Sequence, residues 1–342
     1  MLCIGLMTLC RACSLILAIE SSCDDSAIAI IDTKNGKIVF NEAISQECEH
    51  AKYGGVVPEL AARLHAAALP ELLRKAKPYF PQLKAVAVTN EPGLVVSLLE
   101  GVMLAKGLAL ALNIPLLGIH HLKGHLYSIF IEKEPFFPFS SLIVSGGHSQ
   151  IVEVKSFYDM HVVGATLDDS VGESFDKVAK MMGHAYPGGP IIEKLAKEGD
   201  ENRFDFPLPL KQHKEIAFSY SGLKNSVRLE IEKLGPRTNQ DECDIAASFQ
   251  KAAFYHLLHQ LKRYFKHTKV KDFSLVGGVS ANLYFRAQLE VLCNSFNIKL
   301  HVADLAYCSD NAAMIARASL EAYHQNLTTT VAQCDVMSRL SL

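Results

Sequence analysis

Short apolar segments separated by polar turns form a plan that occurs twice along this chain. Runs of a few apolar residues predict strands, and apolar residues at helical spacing predict helices. In the first half a strong hairpin signal, Asn35-Gly36, separates the second and third apolar segments. The first half is therefore predicted to contain strands at 14–19, 27–31, 37–40, 85–89 and 115–119, and helices at 58–75 and 95–112.

The second half repeats this order of elements. A tight polar turn, Ser145-Gly146-Gly147-His148, separates its first two apolar segments. The predicted strands lie at 141–144, 150–154, 161–163, 273–276 and 299–302. The predicted helices lie at about 173–182, 190–197, 223–234, 245–265, 283–293 and 311–323.

Three hairpin-linked strands followed by alternating helices and strands, occurring twice, predict a duplicated α/β architecture. If the halves face one another, the polar turns after their first strands point into a shared cleft. Actin-like proteins, sugar kinases and heat-shock-seventy ATPases have this arrangement, which does not by itself establish a function. We expect an actin-like fold of two lobes with a central cleft. The first lobe would comprise 14–120 plus 308–342 and the second 121–307, with 1–13 an extension of unknown role.

The composition is that of an ordinary globular protein. Of 342 residues, 49% are hydrophobic and 20% are charged, and the length favours two domains. The net charge is -2, so the chain lacks the overall basic field of an autonomous nucleic-acid binder. Two segments that mix basic and aromatic residues, 203–228 and 262–269, are candidates for binding phosphates. A charged helix end is the commoner explanation for either one alone.

The nine cysteines have no regular spacing, and Cys10 and Cys13 have no second pair downstream that would complete a zinc ribbon. They are typical of reduced cysteines in a cytosolic protein. No apolar run reaches the roughly 18 residues needed to cross a bilayer. The N-terminal extension is apolar but lacks the basic start of a signal peptide. We expect a cytoplasmic protein that does not associate with a membrane.

Two histidines four residues apart, His121 and His125, fall on one face of a predicted helix. Imidazole is the commonest metal ligand, but two partly buried histidines on a helix flank are an equally good explanation. Asp310 precedes the last apolar helix, where capping is the usual role of an aspartate. Together with the two histidines, however, its carboxylate gives a set suited to Fe²⁺ or Zn²⁺ with positions open to a substrate.

Two glycine-rich segments are candidates for binding a phosphate-containing ligand. The turn Ser145-Gly146-Gly147-His148 offers backbone N–H groups to an anion, although an ordinary hairpin explains it as well. The segment from Gly277 to Asn282 joins a buried strand to a helix, whose N-terminus can receive a phosphate or ribose. Asn282 either binds the ligand or only caps that helix. No Gly-Lys-Ser/Thr follows, so the segment is not a Walker loop.

Carboxylates cluster between 168 and 177, where Glu173 and Asp176 fall on one face of a predicted helix. Acids at a solvated helix start are an equally good explanation. The turn 186–190 is rigid, and its small residues would let a sugar lie against the backbone. Further candidates for a catalytic or supporting role are Glu20 and Asp24, in the polar turn after the first strand, and also His148 and Glu173.

Together these motifs resemble the TsaD family, the tRNA adenosine threonylcarbamoyltransferases that were earlier described as glycoproteases. The resemblance extends from residue 18 to about residue 318. Any one motif is weak, but nine in the family's order are specific. They lie at 18–24, 53–59, 120–125, 144–148, 172–177, 186–190, 218–224, 277–282 and 310–315.

The resemblance implies transfer of a threonylcarbamoyl group from threonylcarbamoyl-AMP to the exocyclic amine of the adenosine beside the anticodon. The substrates would be tRNAs that read codons beginning with A, and the product t6A. One divalent metal ion per subunit, Fe²⁺ in preference to Zn²⁺, is implied on His121, His125 and Asp310. The implied donor-binding residues are Ile143, Val144, Ser145, Gly146, Gly147, Asp176, Gly189 and Asn282.

The resemblance also implies partners. Besides tRNA these are a catalytically silent TsaB-like paralogue and a small TsaE-like P-loop ATPase, while a separate synthase makes the donor. The donor is a mixed anhydride and already activated, so the enzyme needs to position it and stabilise charge rather than supply a covalent nucleophile. No Ser–His–Asp or Cys–His set stands out in the sequence.

The sequence departs from the family pattern at a few positions. Glu91 stands where glycine is usual, and Asp25 and Lys123 stand where bacterial relatives often have glutamate. The tail after Met337 lacks the basic, proline-containing ending of many relatives. None of these departures removes an implied ligand.

Three other functions fit parts of the sequence. A zinc protease of the His-Glu-x-x-His type needs a glutamate after the first histidine, and Leu122 stands there. A sugar kinase or chaperone-like ATPase of the same fold would use the glycine segments but leave His121, His125 and Asp310 without a role. A non-catalytic scaffold of the paralogous kind would be expected to lack these three residues.

Overall fold

The structure, a computed structural model, describes residues 14–211, 213–339 and 342. The extension 1–13, with Cys10 and Cys13, lies outside these residues. Each cysteine within them is a free thiol.

The first half of the chain forms a five-stranded sheet of order β3-β2-β1-β4-β5. Its central strand β1 pairs antiparallel with β2 and parallel with β4. The strands are β1 (Leu15–Glu20), β2 (Asp25–Asp32), β3 (Ile38–Ser45), β4 (Leu83–Glu91) and β5 (Leu116–His120). The helices between them are α1 (Glu47–Ala51), α2 (Pro58–Ala76) and α3 (Val95–Leu112).

The second half forms a sheet of the same plan, with order β10-β9-β6-β7-β8. Its central strand β6 pairs antiparallel with β7 and parallel with β9, as β1 does with β2 and β4. The strands are β6 (Phe139–Val144), β7 (Ser149–Val154), β8 (Met160–Ala165), β9 (Asp272–Val276) and β10 (Lys299–Val302). The predicted duplication is therefore confirmed.

Seven further α-helices lie in the described part of the chain, which also contains four short 3-10 segments. Short α4 follows β5 directly, and α10 is the last helix. They are α4 (His121–Tyr127), α5 (Val171–Met181), α6 (Gly188–Ala196), α7 (Ser221–Leu234), α8 (Asn239–His267), α9 (Leu283–Ser295) and α10 (Ala312–His324).

Helices α4 and α10 lie between the two sheets. Their contact positions the residues of the candidate functional site. The central apolar cluster contains Leu122 and Leu126 of α4 and Ile315 of α10, and also residues of both sheets, such as Ile16 and Ile143. The two helices approach closely because Gly124 has no side chain. A Cβ at Gly124 would lie 2.6 Å from Cδ1 of Ile315.

The sequence prediction missed some elements and boundaries. The short helix α1 was not predicted, and β3 continues well beyond residue 40, as far as Ser45. Helix α8 begins six residues before its predicted start, at Asn239 rather than 245. A capping box begins it: the hydroxyl of Thr238 accepts the N–H of Asp241, whose carboxylate accepts the N–H of Thr238.

The expectation that no apolar segment is long enough to cross a bilayer needs correction, because one helix in the described ranges, α3, is long and apolar enough by length and composition alone. Its buried residues, which include Leu98, Val102 and Leu108, are covered within the protein. The helix packs there against β4 and α2. Some of the apolar side chains of α3 are therefore explained by packing inside the protein.

Candidate functional site

His121, His125 and Asp310 lie together between the two halves of the chain. Nε2 of His125 lies 3.2 Å and Nε2 of His121 lies 3.5 Å from Oδ1 of Asp310. One ligand atom from each residue lies within 4.8 Å of the others. The histidines come from the first and second turns of α4, and Asp310 comes from the segment just before α10. The contact of α4 with α10 therefore brings the three residues together.

The carboxylate of Glu20 contacts the His121 ring at Nδ1, on the edge opposite the one that faces Asp310. Its Oε2 lies 3.1 Å from Nδ1 of His121 and accepts the Thr89 hydroxyl at 2.6 Å. Its Oε1 accepts the N–H of Ser22 at 2.6 Å. A carboxylate behind an imidazole fixes its tautomer and orientation. Nε2 of His121 is therefore left to face Asp310.

The electrostatics of this cluster favour a cation. Burial alone would lower the pKa of His121, but the carboxylates of Asp310 and Glu20 outweigh burial and raise it to about 10. For Asp310, burial acts to raise the pKa, yet His121 and His125 hold it well below its usual range. The buried carboxylate of Glu20 and the partly buried carboxylate of Asp310 thus lie against two buried imidazoles.

The donor set fits a divalent metal ion. His125 is fully buried, and its Nδ1 has no hydrogen-bond partner among the described residues, while its Nε2 lies 3.2 Å from Oδ1 of Asp310 without forming a well-directed hydrogen bond. A buried imidazole without a well-formed hydrogen bond is costly unless another group, such as a metal ion, occupies its lone pair. Two imidazoles and one carboxylate suit Fe²⁺ or Zn²⁺ and leave positions open.

His148 connects this cluster to the glycine turn that precedes it. The carbonyl of His148 accepts the N–H of Ser145 at 2.8 Å, and its own N–H donates to the Ser145 hydroxyl at 3.1 Å. Burial lowers the pKa of His148 to about 4, and the charges of His121 and His125 act in the same direction. His148 is therefore neutral near pH 7 and lies close to both histidines.

The glycine turn presents free backbone donors. Gly146 and Gly147 are exposed, and their N–H groups have no acceptor among the residues that the structure describes. The start of α5 braces the turn. The Ser170 hydroxyl donates to the carbonyl of Gly146 at 2.6 Å, and a Cβ at Gly172 would lie 2.6 Å from the carbonyl oxygen of Ser145.

The side chains of Ile143 and Val144 cannot line a pocket. Both are fully buried in β6. Any contact of these two residues with a ligand would have to come from the backbone.

Asp176 lies beside the start of α6, where Gly189 is located. Oδ1 of Asp176 accepts the N–H of Gly188 at 2.7 Å. Burial raises the pKa of Asp176 to about 6, although the N–H groups of Gly188 and Gly189 act to lower it. The carboxylate therefore fixes the first turn of α6, and Gly189 itself stays open because no atom lies within 4 Å of where its Cβ would be.

Asn282 behaves as a helix cap in this structure. Its Oδ1 accepts the N–H of Phe285 at 2.9 Å, and its Nδ2 donates to Oε1 of Gln250 at 2.9 Å. Only 7% of the residue is exposed. Both polar groups of the carboxamide are thus already engaged within the protein.

Glu173 and Asp24 have structural partners. Glu173 is half exposed and pairs with Lys177 at 2.8 Å, as an acid at a solvated helix start does. Oδ2 of Asp24 accepts the hydroxyl of Tyr186 at 3.2 Å. This hydrogen bond joins the turn after β1 to the segment that leads into α6.

Sequence reasoning missed Thr89 and gave Tyr186 no role of its own. Thr89 is fully buried near the end of β4 and orients Glu20. A threonine in a strand carries no functional signal, since threonine is common in strands. Tyr186 belongs to the predicted turn 186–190. Its contact with Asp24 could not be predicted, because Asp24 lies in the other half of the chain.

Comparison with known proteins identifies the family of this chain. The TsaD family, described as tRNA N6-adenosine threonylcarbamoyltransferase, matches residues 37–317. A protein of that name from a Nitratiruptor species is 60% identical over 312 residues, which cover 91% of this chain and 95% of the relative. Another from a Sulfurovum species is 57% identical over 327 residues, covering 95% and 97%.

Solved structures support the fold. T. kodakarensis HypF superposes with a TM-score of 0.64 at 16% identity, covering 95% of this chain and 50% of HypF. This chain thus spans about half the length of that protein, and the likeness concerns the duplicated actin-like fold alone. With a family match over most of its length and relatives more than half identical, the chain belongs to the TsaD family of tRNA N6-adenosine threonylcarbamoyltransferases.

Proposed function

We propose that this chain, a tRNA N6-adenosine threonylcarbamoyltransferase by family, takes its threonylcarbamoyl group from threonylcarbamoyl-AMP. The acceptor is the exocyclic amine of the adenosine beside the anticodon, in tRNAs that read codons beginning with A, and the product is t6A. The observation that carries this proposal is the convergence of His121, His125 and Asp310 beside His148, which ends the glycine turn.

We assign one divalent ion, Fe²⁺ in preference to Zn²⁺, to His121, His125 and Asp310. When bound, the ion would supply Lewis-acid polarisation of a threonylcarbamoyl oxygen. Glu20 orients His121 through Nδ1, and buried Thr89 in turn holds Glu20. The same carboxylate offsets the positive charge that a divalent ion brings into a buried site.

The glycine turn and α6 are assigned to the AMP part of the donor. The exposed N–H groups of Gly146 and Gly147 can donate to the phosphate, whose negative charge grows as the anhydride bond breaks. Asp176 positions the start of α6, where the open backbone of Gly189 can receive the nucleoside. Asn282 supports this pocket by capping α9 and would need to release Gln250 to contact the donor.

A protease function has no support in the geometry. Leu122 stands where a zinc protease needs its general base, and its side chain is buried in the central apolar cluster. An ATPase of the same fold would leave the convergent His121, His125 and Asp310 without a role.

The family and one exposed apolar surface support a proposal for the protein partners. Besides tRNA, we assign a TsaB-like paralogue and a TsaE-like P-loop ATPase as partners, in the cytoplasm and away from membranes. Helix α3 exposes a row of apolar side chains that a protein partner would cover, namely Val95, Leu99, Met103 and Leu110.

We divide the chain into a first lobe of 14–120 plus 308–342 and a second of 121–307. The packing of α10 against β1 and β2 supports the return of the C-terminal segment to the first lobe. Helix α4 contacts strands of both sheets, so it forms the junction at which the metal ligands lie.

Transfer from preformed threonylcarbamoyl-AMP to an unmodified tRNA transcript tests this function. The purified chain, together with its two protein partners, should form t6A without a supply of ATP for donor synthesis. The matched reaction omits only this chain and should form none. Equal t6A formation in both reactions, or none in either with active partners, would contradict the assignment.

A further inference from the structure

A face of α8 and the loop beside it carry a group of positive charges outside the candidate site. Lys262, Arg263 and Lys266 lie on the C-terminal half of the helix. Lys211 and Lys214 lie on the loop that precedes α7. We call these five residues the α8 basic face. All four lysines are exposed.

Arg263 fastens the loop to the helix. Its guanidinium donates to the carbonyls of Lys214 at 2.7 Å and Glu215 at 3.4 Å, and to Oε1 of Gln260 at 2.7 Å. All three acceptors are neutral. These hydrogen bonds hold the loop lysines beside the helix. They leave the positive charge of Arg263 without a carboxylate partner among the residues described.

The positive charges of this face have no direct ion-pair partners in the described part of the chain. Within the described ranges, none of its five cations lies within 4.0 Å of a carboxylate oxygen. Elsewhere in the same half of the chain cations are paired, as in Arg203 with Asp244 at 2.7 Å. Because the whole chain has a net charge of -2, such a local excess is a feature of this face and not of the composition.

His259 lies amid these charges. Burial lowers its pKa, and Arg263, Lys211, Lys262 and Lys266 all act in the same direction. Four cations from two segments therefore act on one imidazole. Beside it Tyr255 is 56% exposed, with its ring centroid 6.4 Å from that of His259.

A chain of contacts links one end of this helix face to the glycine turn. Nε2 of His256 accepts the N–H of Ser219 at 3.2 Å, and the Ser219 hydroxyl donates to Asp168 at 2.6 Å. Two residues after Asp168, Ser170 donates to Gly146. The ten residues from His256 to Lys266 span about 15 Å of helix. The basic face therefore lies on the same helix as His256, within about 15 Å of helix from the residue that begins this path to the glycine turn.

We propose that the α8 basic face binds the phosphate backbone of the tRNA while its reactive adenosine occupies the cleft. The identity of the RNA rests on the proposed function. Exposed lysines that lack carboxylate partners can neutralise phosphates without first breaking an ion pair. Contacts of this kind set the position of a nucleic acid without reading its sequence. The exposed ring of Tyr255 can stack on a base at the edge of the face.

The test is tRNA affinity in the double variant Lys262→Gln and Lys266→Gln. The purified chain is titrated with an unmodified tRNA transcript at several salt concentrations. Loss of two phosphate contacts should weaken binding on the order of tenfold and reduce the slope of log K against log salt by about one to two. The matched control is Lys34→Gln with Lys37→Gln, which removes the same charge from the exposed β2–β3 turn.

The control should keep the wild-type affinity and salt slope. Equal affinities and slopes in the two double variants would overturn the α8 basic face as a tRNA site. The tRNA affinity of the variants tests the α8 basic face, whereas t6A formation by the wild-type chain tests the proposed function. Either hypothesis can therefore fail without the other. Both variants change exposed side chains, and unchanged thermal unfolding confirms that neither effect comes from misfolding.

Discussion

Oε2 of Glu20 lies 3.1 Å from Nδ1 of His121, on the edge of the ring away from Asp310. Three more hydrogen-bonding groups surround this contact: the Thr89 hydroxyl, the Ser22 N–H and the Ser22 hydroxyl. The strand β1 thus supplies a carboxylate that sets the direction of a ligand on α4. The orientation of a candidate metal ligand therefore depends on a residue outside the group formed by His121, His125 and Asp310.

Replacing Glu20 by glutamine should weaken metal binding by about ten- to a hundredfold while the fold is kept. The amide keeps the size of the carboxylate but loses the charge that stabilises the His121 ring and the ion. Competition with a chelator of known affinity measures the change. Thr89→Val, which removes only the support of Glu20, should have a smaller effect in the same direction. An unchanged metal affinity in Glu20→Gln would contradict the orienting role.

Tyr186→Phe should destabilise the protein by about 1 kcal/mol, because it removes the hydroxyl that donates to Asp24. The substitution leaves the ring and its packing in place. Denaturant unfolding of both proteins measures the difference. Tyr158→Phe is the matched control, since its ring is 59% exposed, and it should change stability by much less. Equal effects would show that the contact between the two halves contributes nothing.

Gly277→Ala should destabilise the protein by about 1–3 kcal/mol. Gly277 has φ of +92°, and a Cβ there would overlap the carbonyl oxygen of Val144. Gly107→Ala is the opposite case, since nothing lies within 4 Å of a Cβ at that position of α3. It should stabilise the protein by about 0.5–1 kcal/mol because glycine is a poor helix former. Thermal unfolding that ranks the two variants in the reverse order would contradict this account of the turn.

His256 should make the protein sensitive to acid. Burial lowers its pKa to about 4, with a further contribution from His259, and its Nε2 must stay unprotonated to accept the N–H of Ser219. The unfolded chain has the higher pKa, about 6.5, so it takes up the proton first. The stabilisation is therefore complete above pH 6.5 and is lost as the pH falls from there towards 4.

His256→Gln should consequently flatten the dependence of unfolding free energy on pH in this window. The upper limit of the effect is on the order of 3 kcal/mol. Unfolding free energies of both proteins at neutral pH and near pH 4.5 give the comparison. If the difference between the two proteins is the same at both pH values, His256 does not titrate as described.

The fold was predictable because its strands are short, apolar and bounded by clear turns. Strand β1 is buried along its whole length, and its sequence LILAIE has no polar residue before its last position. Local signals also located α3, whose bounds match the prediction. The predicted start of α8 was too late because apolar periodicity begins only near residue 245, whereas the capping box at Thr238 starts the helix earlier.

The candidate site was predictable only in part. The spacing of His121 and His125 placed them on one helix face, but nothing local connects them to Asp310. That contact depends on how closely α4 and α10 pack at Gly124, a tertiary feature that has no local signal in the sequence. The hydrogen bonds of the Asn282 carboxamide with Gln250 and Phe285 could not all be predicted from the sequence, because Gln250 lies on another helix.

The most direct test of the account is metal content measured together with transfer activity in Asp310→Asn. Elemental analysis of anaerobically purified protein gives the ion, iron or zinc, and its stoichiometry, and t6A formation gives the activity. Asp272→Asn is the matched control, since Asp272 pairs with His301 at 2.8 Å outside the site. We predict that the wild type and the control hold one ion per chain and transfer at similar rates, while Asp310→Asn loses both the ion and the activity. Full transfer by metal-free Asp310→Asn would contradict the account.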